Sequence, residues 1–158
     1  MSKRITIQPS QTADTRTCDF ANVTKRTLLD SSEQHIMDVR KGLELFREML
    51  RVAAMDHDHD KLSDIDSFHA DFVTGFAQTG WWDRHRQLNR HHLEADDGIR
   101  EDVNLIDVLD YIADCVMAGK ARSGSVRPLT VAPEVVYRAF LNTVALLDAA
   151  VVVEPTNG

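Results

Sequence analysis

Between Ser31 and Met55 the apolar side chains Ile36, Val39, Leu43, Phe46 and Leu50 recur at steps of three and four. That spacing follows the 3.6-residue turn of a helix and cannot be laid along a pleated strand. It predicts a long amphipathic helix, with Ser31 or Ser32 as its cap. Ile65, Phe68, Phe72 and Phe76 repeat the pattern, with Ser63 and Asp66 as a variant capping box before them and Gly80 near their end. The stretch WWDRHRQLNRHH reads as a short helix, closed by Asp96, Asp97 and Gly98. EDVNLIDVLDYIADCVMAGKARSG reads as another, with Leu105, Val108, Leu109, Ile112 and Val116 as its apolar stripe and Gly119 or Gly124 near its end. Pro133 suits the first turn of a last helix, PEVVYRAFLNTVALLDAAVVV. Only RITIQ alternates, as an edge strand or an extended arm. The predicted fold is an all-α, single-domain bundle of five or six helices in residues 31–153, preceded by an N-terminal arm over 1–30 and followed by a tail over 154–158.

A chain of 158 residues fits one domain, and a domain of that size buries roughly 70% of its unfolded surface. The 25 acidic against 18 basic residues leave a net charge of −7, which opposes general affinity for nucleic-acid backbones or anionic membranes. A small molecule or another protein, a second copy included, is the expected partner. Cys18 and Cys115 show no CxxC spacing, and Cys115 lies in an apolar run that favours a reduced, packed thiol. With no apolar block of signal-peptide or membrane-spanning length, the expected location is the cytoplasm.

The polar residues are less evenly spread. MDHDHDKLSDIDSFHADF, residues 55–72, holds three histidines and six aspartates, and six of the seven histidines fall between residues 57 and 92. A solvated surface needs charge but does not need histidine, whereas neutral imidazole is the commonest side-chain ligand for divalent transition metals. His35, four positions before Val39 and eight before Leu43, is expected on the inward stripe of the first long helix. Asp107, Asp110 and Asp114 stack at i, i+3 and i+7, where carboxylates repel unless a metal or an arginine stands opposite. His85, Asn89 and His92 align at i, i+4 and i+7, with His91 beside them if the helix frays.

In this order, an inward His, then HDHDKLS, then HRQLNRHH, then an Asp in DYIADCVMAG, the chain resembles the HD-domain metal-dependent phosphohydrolases. It is similar above all to small bacterial and phage HD-like proteins with HDxSK and HxxxNxHH motifs. The resemblance runs from His35 to Gly119 and implies an HD-like fold. It implies one or two divalent transition metal ions (Mn, Fe, Co, Ni or Zn) held by His35, His57, Asp58 and Asp114, with His85 and His91 or His92 at a second ion or the leaving oxygen. The register that places Lys61 and Ser63 on the motif selects His57-Asp58 over His59-Asp60 as the ligating pair. Lys61 is then a phosphate clamp, and Asn89 and Arg122 are the expected substrate contacts; Arg122 and Arg127 share a glycine-bearing loop that can hold a phosphate or base. The implied activity is hydrolysis of a small phosphorylated metabolite, a nucleotide or deoxynucleotide first. A di-iron oxygenase on the same scaffold and a non-catalytic metal-binding regulator are the alternatives.

A metal that neutralises the acidic helix face binds the native state alone and stabilises it by RT ln(1 + [L]/Kd). Chelation is therefore expected to lower the melting temperature; an unchanged melting curve after complete metal removal would leave that face merely solvated.

Overall fold

A computed structural model of the chain describes residues 4–10, 19–94 and 99–154. Cys18, the expected Asp96-Asp97-Gly98 closure and all but the first residue of the tail lie outside the described residues. The fold is all-α apart from one small sheet. In chain order the elements are β1 (Ile5–Ile7), α1 (Lys25–Asp56), α2 (Asp60–Ser63), α3 (Ile65–Phe72), α4 (Trp81–Leu88), α5 (Leu105–Ser123), α6 (Pro133–Ala150) and β2 (Val151–Val153). Among the described residues no helix is long and apolar enough to cross a membrane. The chain divides into two compact units, residues 1–48 with 145–158, and residues 49–144.

In the first unit, RITIQ forms a strand. Ile5, Thr6 and Ile7 pair in parallel with Val151, Val152 and Val153, and the Glu154 N–H donates to Ile7 O at 3.0 Å. Carbonyls of this edge segment are satisfied from α1: Lys41 Nζ donates to Thr6 O at 3.0 Å and Gln34 Nε2 to Gln8 O at 3.1 Å. α1 begins two turns earlier than the serines suggest. Thr24 Oγ1 accepts the Thr27 N–H at 3.1 Å, whereas Ser31 and Ser32 donate back to Thr27 O and Leu28 O inside the helix. The predicted apolar stripe is also corrected. The buried residues of α1 are Ser31, Gly42 and Leu45, while Ile36, Val39, Leu43 and Leu50 remain 47%, 47%, 59% and 39% exposed.

The core of the second unit gathers Leu93, Val103, Val108, Tyr111, Cys115, Val135 and Ala139. Here α5 is rotated from its predicted stripe: Tyr111, Cys115 and Gly119 are buried with Val108, and Leu109 and Ile112 face outward. A capping box sets that orientation. Asn104 Oδ1 accepts the Ile106 N–H at 2.8 Å, and Asp107 Oδ2 accepts the Asn104 N–H at 2.9 Å, which turns the acidic edge of the helix inward.

The proposed Ser63–Asp66 box does not form; Asp64 sits between α2 and α3, and its Oδ2 accepts Trp81 Nε1–H at 3.1 Å. α3 stops at Phe72, before Phe76, because the fully buried Asp71 carboxylate gathers the N–H groups of Thr79, Trp81 and Trp82 and so receives the N-terminus of α4. The turn between needs left-handed backbone at Gly75, Phe76 and Gly80.

Both glycines proposed for the end of α5 have distinct jobs. Gly124, at φ 74°, terminates the helix, whereas Gly119 lies within it, where residues 125–127 fold back and Arg127 N–H donates to Cys115 O at 3.2 Å. A Cβ on Gly119 would stand 2.5 Å from both Arg127 N and Ser125 O. Gly119→Ala is expected to destabilise the protein by about 1–3 kcal/mol through this overpacking, read as a lower urea midpoint at constant m-value. An unchanged midpoint would show that the return segment does not lie on the helix.

Candidate metal centre

All residues of the site belong to the second unit. His57 follows the last residue of α1, and Asp58 then takes φ 51°, a left-handed conformation that non-glycine residues rarely adopt and that clusters at functional sites. Asn89 holds it there: its Oδ1 accepts the Asp58 N–H at 3.0 Å, and its Nδ2 donates to Asp60 Oδ1 at 2.9 Å and to His85 O at 3.0 Å. Asp60 in turn meets His85 Nδ1 at 2.8 Å, which fixes the ring and directs Nε2 the other way. That ring is fully buried, stacked 4.9 Å from Trp81 and 5.1 Å from Trp82.

α4 ends at Leu88 and Asn89 is extended, so His91 and His92 arrive on a turn rather than on the helix. Arg90, just before them, clamps this turn to α5 through Asp107, Nε to Oδ1 at 2.7 Å and Nη2 to Oδ2 at 2.8 Å, with Asp102 Oδ2 at 3.1 Å from Nη1.

The side chains converge on the Asp58 carboxylate. His85 Nε2 is 3.3 Å and His91 Nε2 3.6 Å from Oδ1, and His57 Nε2 is 3.6 Å from Oδ2, which also pairs with Lys61 Nζ. His57 stacks on His91 at 4.4 Å between centroids, and Asp110 reaches both, at 2.8 Å from His57 Nδ1 and 3.6 Å from His91 Nδ1.

Among the described residues two groups offer one ligand atom per residue within 4.8 Å of each other: His57, His91 and Asp110, and Asp58, His91 and His92. Asp58 Oδ1, His85 Nε2, His91 Nδ1 and His92 Nε2 are buried with no hydrogen-bond partner among the described residues. Each such atom costs about 1–3 kcal/mol if left unsatisfied, and a cation among them would satisfy several together. The residues therefore fit a metal ion.

The protonation states agree with that fit. Burial pushes His91 down, with the nearby Asp110 opposing, and burial with the neighbouring His91 and His85 brings His92 to about 3. Both rings are thus neutral, the form that ligates metals. Burial alone would raise the Asp58 carboxyl, but His85 and the Lys61 ammonium outweigh it and hold the group well below the usual carboxylate range.

Of the residues proposed from sequence, the structure brings together His57, Asp58, His85, His91 and His92. His59 is exposed, and Asp60 orients His85. Asp114 is displaced from the expected ligand set: its Oδ2 accepts Arg127 Nη2–H at 2.8 Å, and Asp110, one turn earlier, faces the histidines because α5 is rotated. His35 is corrected as well. It is exposed on α1, about six helical turns before His57, since the face that carries it points to solvent. Asn89, an expected substrate contact, is 8% exposed with both ends of its amide engaged within the site. Arg122 is exposed in the last turn of α5. Asp60, weighed from sequence only as part of an alternative ligating pair, and Arg90, given no role there, both build the site; their sequence signal is that they lie inside the HDHDKLS and HRQLNRHH motifs.

A cleft of about 290 Å³ opens beside His91 and His92, lined also by Arg86, Arg127, Trp82 and Tyr111. Arg86 is held by Asp83 and Arg127 by Asp114, and the Tyr111 hydroxyl donates to Glu94 and accepts the Thr130 N–H. Burial and the Glu94 carboxylate push that phenol up to about 12, which keeps it a donor at neutral pH. The chain matches no family model, no curated protein and no solved structure in comparisons with known proteins.

Elemental analysis of the purified protein is expected to find at least one transition metal ion per chain, lost in His57→Ala/Asp58→Ala and retained in His59→Ala. Stoichiometric metal in the double variant would sink the ligand assignment.

Proposed function

We propose that the chain is a metal-dependent phosphohydrolase of the HD type, acting on a small phosphorylated metabolite, a nucleotide or deoxynucleotide foremost. The observation that carries this reading is the adjacency of two features: a knot of buried, unpartnered imidazole and carboxylate atoms, and a cleft lined by two arginines. A bound divalent transition metal supplies Lewis acidity and brings the pKa of water toward neutrality, the chemistry needed to attack phosphorus.

The protein's own residues account for the rest. Asp58, ionised and aimed by its left-handed backbone, would hold the metal together with His57 and the neutral His91 and His92, while Asp60 keeps the His85 ring oriented. Arg127 and Arg86 give the cleft guanidinium forks that match a phosphate, and the carboxylates that hold them limit their freedom before substrate arrives. Trp82 offers aromatic surface on which a base can rest. Lys61, beside Asp58, places an ammonium where charge on a transferring phosphoryl group would grow.

Phosphate release from a nucleotide panel, measured metal by metal, tests the reading. Turnover of a phosphate ester supports it; iron-dependent oxygen uptake without phosphate release would point to an oxygenase, and metal binding without either to a regulator. Lys61→Ala is expected to retain metal and circular dichroism while lowering kcat/KM by about 10²- to 10³-fold, with little rescue by Lys61→Arg. Wild-type activity in Lys61→Ala would return Lys61 to holding Asp58 alone.

A further inference from the structure

Leu29, Ile36, Leu43 and Leu50 follow one another at intervals of seven along α1, and they are 49%, 47%, 59% and 39% exposed. Val39 and Phe46 occupy the positions three residues after Ile36 and Leu43, Val39 being 47% exposed and Phe46 half-buried. A straight helix drifts about 20° per heptad away from such a repeat. A strict period of seven, maintained for about 32 Å of helix, is therefore not what a face packed on its own globule requires. It is the seam by which one helix lies along another of the same period. Ser31, Gly42 and Leu45, turned away from Leu29, Ile36 and Leu43, are the residues of α1 that the chain itself buries, and Leu147 Cδ1 lies 3.5 Å from where a Cβ on Gly42 would stand.

We propose that α1 pairs antiparallel with α1 of a second copy of this chain through the Leu29–Ile36–Leu43 seam. A two-fold pairing needs a self-complementary face, and the charges beside the seam select the direction. With Val39 facing Leu43 of the second copy and Ile36 facing its Phe46, Glu33 on one copy stands against Arg47 on the other. The two-fold axis makes this contact twice, at the cost of one Arg40–Arg40 approach. In a parallel pair the residues set against Glu33, Arg40 and Arg47 are Leu28, His35 and Gly42, none of them acidic or a permanent cation. Arg47 is 80% exposed at its side chain and reaches Glu44 on its own helix at 2.6 Å, a surface pair that it can exchange at little cost.

Sedimentation equilibrium of the full-length chain is expected to show a dimer. Ile36→Glu/Leu43→Glu, at positions already open to solvent, is expected to raise the dimer dissociation constant at least about 100-fold with unchanged helicity and metal content. Glu33→Arg should weaken the dimer about 5-fold, and Glu33→Arg/Arg47→Glu should restore it, because the swap rebuilds the contact only in the antiparallel register. A monomeric wild type, or a dimer indifferent to Ile36→Glu/Leu43→Glu, would overturn the proposal; failure of the charge swap to restore association would overturn the antiparallel register.

Discussion

The geometry of the candidate site depends on one backbone dihedral. Asp58 sits at φ 51°, and without that reversal the carboxylate would follow the α1 direction instead of facing His57, His85 and His91. A left-handed aspartate costs about 1–3 kcal/mol unless its surroundings over-determine it, and here they do. The Asn89 amide takes the Asp58 N–H, and Lys61, one turn on, takes its carboxylate. The same amide reaches Asp60 and the end of α4, so the HDHDK and NRHH segments are tied by a single side chain.

The second tie runs to α5. Arg90 lies between Asn89 and His91 and spends its fork on Asp107, which is itself the acid of the α5 capping box. Because Asp107 is drawn inward, Asp110, one turn later, meets the histidines, and Asp114, one turn later again, meets Arg127 on the returning loop. Three carboxylates that would repel on a bare helix face thus have separate partners: Asp107 an arginine, Asp110 two imidazoles and Asp114 a second arginine. The first orients the helix, the second completes the candidate metal centre and the third shapes the cleft. Gly119 belongs to this scheme, since only a residue without Cβ lets the Arg127 segment approach α5 so closely.

Where the amphipathic argument failed, it failed in one direction. The α1 and α5 stripes were expected to be inward, yet Ile36, Val39, Leu43, Leu109 and Ile112 are exposed. Periodicity reports that a helix has an apolar face; it carries no information on whether this chain or another covers it.

Much of this protein is legible in its residues because the causes are local. Helices follow from three- and four-residue spacing, and Gly124 and Pro133 act within a turn of where they stand. The crowding of histidine and aspartate between residues 57 and 92 marks the site for the same reason, since unlike chemistry stands out against any surface average. What the residues could not decide is rotation and partnership. A helix turned by one residue moves every side chain by about 100°, so whether Asp110 or Asp114 faces the histidines depends on contacts between residues 10 to 31 positions apart. Those contacts are the Arg90–Asp107 pair, the Asn89 amide at Asp58 and the Asp71 carboxylate at the start of α4. Each joins groups remote in sequence, and only the folded chain brings them within hydrogen-bonding distance.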